Sequence, residues 1–204
     1  MRIGLLGGTF DPIHLGHLIL AEQARDQGHL DEVWFVPSAH PPHKMDRALT
    51  RFEQRCDMLE LAIAGHPQFR IERIEKELPA PSYTVETLTA LQGRYPQTEF
   101  SLLLGADGLA DLPSWYQPQR IVAQVSLLVA PRPGVLLWTP ERLADALALS
   151  PHQLRLQYIA CPLIEIASRD IRRAVQHGWS IRYLVPRAVE QYIQERQLYR
   201  SLTS

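Results

Sequence analysis

Within the first stretch of chain, a short apolar run is stopped by paired glycines, followed by a helical stripe and then a second apolar run. Ile3-Gly4-Leu5-Leu6 ends at Gly7-Gly8. Leu15, Leu18 and Ile19, with Ala21 to Ala24, recur at helical spacing until Gly28, and Val33-Trp34-Phe35-Val36-Pro37 follows. Buried parallel strands are continuous apolar runs, and their connection must cross over through a helix. The segment is therefore a βαβ unit of about 35 residues, a common size for that motif.

The alternation continues along the chain. Pro37, Pro41 and Pro42 enforce an extended loop, after which Thr50 is placed to cap a helix carrying Phe52, Cys56, Leu59 and Ile63. Phe69-Arg70-Ile71 is a short strand candidate. A further helix begins near Ser82-Tyr83-Thr84, its first residue left open because the Ser-to-Glu86 spacing is one residue off a capping box. Phe100 to Leu104 is a strand ending at Gly105-Ala106-Asp107, and Val125 to Val129 is another, ending at Pro131-Arg132-Pro133-Gly134. The apolar segment Leu163 to Ile166 leads into Ser168 and a helix with Ile171 and Val175, stopped by Gly178. A last helix runs from about Pro186 through Val189, Tyr192 and Ile193. The expected fold class is α/β, a doubly wound parallel sheet whose ligands sit at the carboxyl ends of the strands, with a helical C-terminal part. With 204 residues, 46% apolar and 21% charged, and no repeats or linkers, residues 1–204 are expected to form one domain.

Lys and Arg number 21 against 22 acidic residues, a net charge of −1, so the chain lacks the general positive field of a nucleic-acid or membrane-surface binder. A local basic site stays open. No uncharged apolar stretch approaches the roughly 20 residues of a bilayer span, and Asp11 interrupts the opening segment before it resembles a signal peptide, so a cytoplasmic location is expected. Cys56 and Cys161 are far apart and lack a CxxC partner, which fits reduced thiols; Cys56, one turn from Phe52 and Leu59, belongs to a core face.

Chemistry concentrates in Gly7-Gly8-Thr9-Phe10-Asp11-Pro12-Ile13-His14-Leu15-Gly16-His17, which joins the first strand to the first helix. At such a junction backbone N–H groups and the helix dipole face an anion. His14 and His17, three residues apart at the helix start, can lie on one face, and Gly16 has no Cβ to obstruct an approaching phosphate. The pattern predicts a triphosphate cradle. Neither a P-loop (GxxxxGK[ST]) nor a dinucleotide fingerprint (GxGxxG) is spelled here.

The string GGTFDPIHLGH resembles the HxGH nucleotidyltransferases. The likeness continues through Pro41-Pro42-His43-Lys44, Ser82 to Leu88, Gly105-Ala106-Asp107, Trp115-Tyr116, Arg132-Pro133-Gly134 and the terminal Tyr183 to Tyr199, nearly the whole chain. Within that superfamily it is most similar to the bacterial nicotinate-nucleotide adenylyltransferases. The resemblance implies in-line attack of the mononucleotide 5′-phosphate on the α-phosphorus of ATP, without a covalent enzyme intermediate. Catalysis would then be positioning and charge stabilisation. His17, His14 and Arg172 are the implied catalytic residues; Gly7, Gly8, Thr9, Phe10, Gly16, Gly105, Asp107, Ser168 and Ile171 join them around ATP. Arg169 stands where small hydroxyl residues are usual and offers charge instead. Asp107 would bond ribose hydroxyls or cap a helix. His43, Lys44 and Arg132 are placed about the mononucleotide phosphate, with Thr84, Trp115 and Tyr116 forming the pyridine pocket. Mg²⁺ would be carried by phosphate oxygens and water rather than by a protein metal cage.

Three rival readings stand beside this one. The pairs His14/His17 and His40/His43 have HxxH spacing, so a metal-binding protein is one, and a non-catalytic nucleotide sensor is another. Within the enzyme class, nicotinamide mononucleotide is the alternative substrate, although a pocket offering N–H donors favours the acid. Oligomeric state and adenine contacts are not encoded in any readable motif.

Overall fold

A computed structural model describes residues 1–42 and 49–200. Six parallel strands, β1 (Arg2–Gly8), β2 (Glu32–Pro37), β3 (Phe69–Ile71), β4 (Glu99–Gly105), β5 (Ser126–Ala130) and β6 (Leu156–Tyr158), pair in the order β3-β2-β1-β4-β5-β6. Helices α1 (Leu15–Gln27), α2 (Phe52–Ile63), α3 (Thr84–Arg94), α4 (Ala106–Asp111), α5 (Pro118–Gln124), α6 (Pro140–Leu147), α7 (Ser168–Gln176) and α8 (Arg187–Glu195) complete it. The chain winds outward from β1 to β3, returns to the middle at β4 and winds the other way. That reversal opens a crevice beyond the carboxyl ends of β1 and β4, where doubly wound sheets bind ligands.

Strand residues alternate between two apolar layers. Leu5, Trp34, Leu102 and Leu127 point into a layer shared with Leu88 of α3, Ile121 of α5 and Leu143 of α6. Leu6, Phe35, Leu103 and Leu128 point the other way, onto Ala21 of α1, Leu59 of α2, Ile171 of α7 and Val189 of α8. Each such side chain contributes roughly 1.5–3 kcal/mol by leaving water, so the central strands are held from both faces. Cys56 is wholly buried and its thiol is pushed up to about 11 by that burial, leaving it an inert core group.

The structure departs from the sequence expectation at Thr50 and at the sixth strand. Thr50 does not cap α2, whose N-cap is Arg51; the Thr50 N–H instead points at Asp11 Oδ2, 3.5 Å away. The start of α3, left open in the sequence, is fixed with Tyr83 as N-cap, and Ser82 Oγ accepts from the His40 N–H at 2.9 Å. The sixth strand is Leu156–Tyr158, whereas Leu163 to Ile166 forms no regular element. Among the described residues no helix is long and apolar enough to cross a membrane.

Candidate active site

β1 delivers Gly7 and Gly8 to the crevice, and the loop after them feeds α1. His14 is the N-cap of that helix in extended conformation, and His17 Nδ1 accepts from the His14 N–H at 3.3 Å. This bond satisfies a donor at the helix start and fixes the His17 proton on Nε2. The two imidazoles stack with centroids 3.6 Å apart and planes at 25°, and Phe10 meets His17 edge-on at 5.1 Å. Phe10 itself is buried with a left-handed φ of 47°, held there by packing. A Cβ at Gly16 would come within 3.1 Å of His14 Nδ1, so the missing side chain leaves room for the imidazole itself.

His14 is 5% exposed, and its Nδ1 is buried without a hydrogen-bond partner. Burial, and after it the charge of Arg132, lower the imidazole from 6.5 to about 4, so the ring is neutral at pH 7. Below pH 6.5 the unfolded chain takes up a proton that the folded ring refuses until about pH 4. Stability is therefore lost as pH falls through that window, by at most about 3 kcal/mol. Replacing His14 with Asn, a good N-cap residue, should flatten the thermal-stability profile between pH 6.5 and 4 relative to wild type. Equal slopes for the two proteins would contradict this assignment.

The start of α7 packs against the same loop. Ser168 Oγ donates to the Pro12 carbonyl at 2.9 Å, and the Arg172 guanidinium donates to the Asp11 carbonyl while lying 3.9 Å from Asp11 Oδ2. Ile171 is a core residue, and its N–H is bonded to the Ala167 carbonyl at 3.1 Å. Its side chain seats α7 on the sheet. Arg169 is exposed, 3.7 Å from Asp170.

Beside this cluster lies a cavity of about 1010 Å³ at the crevice. Gly7, Gly8 and Thr9 form one wall; Thr84, Asp107, Trp115 and Tyr116 contribute to the others. Trp115 packs on the apolar core, while Tyr116 is 48% exposed and lies 4.5 Å from the Tyr83 ring, making a rim. Asp107 sits in the first turn of α4, where Gly105 is the N-cap, and is paired with Arg132 from the loop after β5. A Cβ at Gly105 would fall 2.6 Å from Asp107 Oδ1, so a larger residue there would make the carboxylate shift. His43 and Lys44 lie outside the described residues. His14, His17 and Arg172 are not among the residues lining the cavity; the two rings stack on each other, and Arg172 bonds the Asp11 carbonyl of the same loop. Gly7 to Thr9 is the seam between the cavity and this cluster.

Two buried polar residues and a half-buried tyrosine organise the site without having been legible in the sequence. Arg55, 1% exposed, donates to the carbonyls of Thr9 (2.7 Å), Ser38 (2.8 Å) and Thr50 (3.0 Å), fastening the glycine loop, the exit of β2 and the entry to α2. Glu75 accepts from the Thr87 hydroxyl at 3.0 Å and the Ala39 N–H at 3.2 Å, joining α3 to the end of β2, and burial pushes its carboxyl above the usual range. Tyr199 donates to Asp11 Oδ1 at 2.7 Å.

Among the described residues no three His, Cys, Asp or Glu side chains gather to hold a metal ion. The stacked planes of His14 and His17 also set their in-plane lone pairs side by side rather than converging on one ion. These residues do not form a protein cage for Mg²⁺.

The model of the cytidylyltransferase-like family matches residues 5–184. A curated relative from Geobacillus thermodenitrificans (strain NG80-2), described as "Probable nicotinate-nucleotide adenylyltransferase", is 42% identical over 203 residues, covering 100% of this chain and 88% of its own. A relative of the same description from Thermomicrobium roseum is 44% identical over 98% of this chain and 92% of that one. Among solved structures, the Plasmodium falciparum nicotinic acid mononucleotide adenylyltransferase complexed with NaAD matches with a TM-score of 0.80 at 20% identity, over 97% of both chains, a likeness of fold. The glycine loop, the stacked histidines and these full-length likenesses agree: the chain belongs to the cytidylyltransferase-like family and, within it, to the nicotinate-nucleotide adenylyltransferases.

Proposed function

We propose that the chain transfers the adenylyl group of ATP to nicotinate mononucleotide, giving nicotinate adenine dinucleotide and pyrophosphate. The observation that carries this reading is the seam at Gly7 to Thr9, with a phosphate-type cluster on one side and an aromatic-walled cavity on the other. A reaction joining two nucleotides needs two such compartments meeting at the transferred phosphorus.

In this reading an oxygen of the mononucleotide 5′-phosphate forms the new bond to the α-phosphorus of ATP, and the bond to the oxygen bridging to the β-phosphorus breaks. The electron pair leaves with pyrophosphate, and no group becomes attached to the enzyme. The start of α1 supplies N–H groups and a positive dipole end to the phosphates, and the Nε2–H of His17 donates to charge that grows in the transition state. Neutral His14 stacks on that ring and holds its orientation, while Arg172 adds a cation from α7. Mg²⁺, held through the ATP phosphate oxygens and water, would partly neutralise the phosphate charge.

The pyridine ring rests on Trp115, with its carboxylate at the first turn of α3, where helical N–H groups have no carbonyl partner. Arg132, with His43 and Lys44, serves the mononucleotide phosphate, and Asp107 serves ribose hydroxyls. Release of the Arg132–Asp107 pair accompanies binding. The substrates are small molecules in the cytoplasm, with no nucleic acid or membrane involved. The test is pyrophosphate release from ATP and Mg²⁺ with each pyridine mononucleotide. The expected kcat/KM is at least about tenfold higher for the acid, because a carboxylate accepts from N–H donors that the amide nitrogen leaves unpaired. A higher value for the amide, or no pyrophosphate with either, would overturn the proposal.

A further inference from the structure

The cavity wall carries a buried carboxylate that the proposed reaction does not use. Glu75 is 7% exposed and lines the cavity together with Ser38, Ser82, Thr84 and Thr87. Its two oxygens serve different elements. Oε1 accepts from the Thr87 hydroxyl of α3 at 3.0 Å, and Oε2 accepts from the Ala39 N–H after β2 at 3.2 Å. The hydroxyls of Ser82 and Ser38 bond to the same carboxyl, one from each wall. A carboxylate has about four lone-pair sites, so these four donors satisfy it and make it a bridge between the two segments. Burial pushes the carboxyl above its usual range, and the four donors oppose that push.

The bridge lies one helical turn from the place where α3 begins. Thr87 follows Thr84 by three residues, so the two share a face of the helix. The Thr87 hydroxyl is also 3.2 Å from the carbonyl of Tyr83, the N-cap. Ser82 and His40 are joined twice: the Ser82 N–H donates to the His40 carbonyl, and the His40 N–H to Ser82 Oγ, each at 2.9 Å. On the other wall the Ser38 N–H donates to the Gly8 carbonyl at 2.8 Å, which ties the exit of β2 to the glycine loop. The path from the seam to the start of α3 therefore runs from Gly8 through Ser38 and Ala39 to Glu75, and on to Thr87 and Ser82. Arg55 holds the glycine loop itself, through the carbonyls of Thr9 and Ser38, without Glu75.

We propose that Glu75 is a positioning residue for the mononucleotide: by accepting from both walls at once, it fixes the first turn of α3, and with it the N–H groups that receive the pyridine carboxylate, relative to the seam at Gly7 to Thr9. This deepens the proposed function and rests on it in taking that carboxylate to meet α3. The ATP side is held by Arg55 and does not depend on the bridge.

The test is Glu75→Gln, which keeps the shape but replaces one acceptor oxygen by an NH2 group, so that it can accept from one wall and not from both. Binding of nicotinate mononucleotide, of nicotinamide mononucleotide and of ATP with Mg²⁺ is measured by calorimetry, alongside pyrophosphate release, KM for each substrate and the thermal midpoint. The expected result is binding of nicotinate mononucleotide weaker by about tenfold with its KM raised in step, an acid-over-amide preference reduced by a similar factor, and ATP affinity changed by less than about twofold. Removing a negative charge beside an anionic substrate would by itself tighten binding, so the sign separates lost position from lost charge. Thr87→Val keeps the charge, breaks the α3 side of the bridge and should act in the same direction. Thr87→Ser keeps the hydroxyl and should stay within about twofold of wild type. If Glu75→Gln does not fold, the two Thr87 variants decide. A lower midpoint with unchanged mononucleotide affinity would show a purely structural carboxylate and overturn the inference. So would tighter binding of the acid, or equal losses for ATP and the mononucleotide. If the wild type binds the mononucleotide but releases no pyrophosphate, the functional reading fails while the affinity comparison still decides the role of Glu75; a wild type that binds neither mononucleotide overturns both.

Discussion

Replacing His17 with Ala should lower kcat by about 10²–10³-fold, the usual loss when one preorganised donor to a developing charge is removed. The fold should survive the change. The ring contributes a hydrogen bond to the His14 N–H and an edge contact with Phe10, each worth on the order of 1 kcal/mol. For a chain of this length that is a fall of a few degrees in Tm. His17→Asn separates the two roles, because its side-chain oxygen can accept from the N–H while offering no imidazole donor. It should recover most of the lost stability and little of the lost turnover. Steady-state pyrophosphate release and a thermal melt of the three proteins check this; an alanine variant that keeps more than about a tenth of wild-type kcat contradicts the role.

The largest stability effect is expected at Arg55. Arg55→Met keeps the length of the side chain but leaves the carbonyls of Thr9, Ser38 and Thr50 without their donor. Unsatisfied buried acceptors cost about 1–3 kcal/mol each, partly relieved if water enters, so a total near 3–5 kcal/mol is expected. That corresponds to a Tm lower by on the order of 10 °C. Arg55→Lys should recover only part of it, since an ammonium is a compact donor and cannot span three carbonyls as a planar guanidinium does. Because Thr9 lies on the seam between the two compartments, residual folded protein should also show a raised KM for both substrates. A melt within 2 °C of wild type would show that the clamp matters little.

The contrast between these residues explains what was legible in the sequence. The βαβ opening, the glycine loop and the histidine pair are local patterns, written within a few residues of one another, and the period-two alternation of Leu102, Leu103 and Leu104 encodes both apolar layers at once. Leu156-Gln157-Tyr158 is a three-residue edge strand paired on one side only, too short for periodicity to mark it. The apolar segment Leu163 to Ile166 carries a stronger pattern and forms no strand. Arg55 and Glu75 look like solvated charges on or near a helix, and their meaning lies in partners brought close only by the fold. Arg55 reaches Thr9 from 46 residues away and Tyr199 reaches Asp11 from 188. Ile171, read from a motif beside Arg172, has its side chain in the core.

Whether polyphosphate binds at the start of α1 against the stacked imidazoles is decided by a crystal structure of the protein with Mg²⁺ and a non-hydrolysable ATP analogue. Phosphate oxygens are expected within hydrogen-bond distance of His17 Nε2 and of the backbone N–H groups around Gly8 and Thr9, with Arg172 on the same anion. Phosphates lodged at another face of the sheet, with the His14 and His17 rings unchanged and untouched, would contradict it.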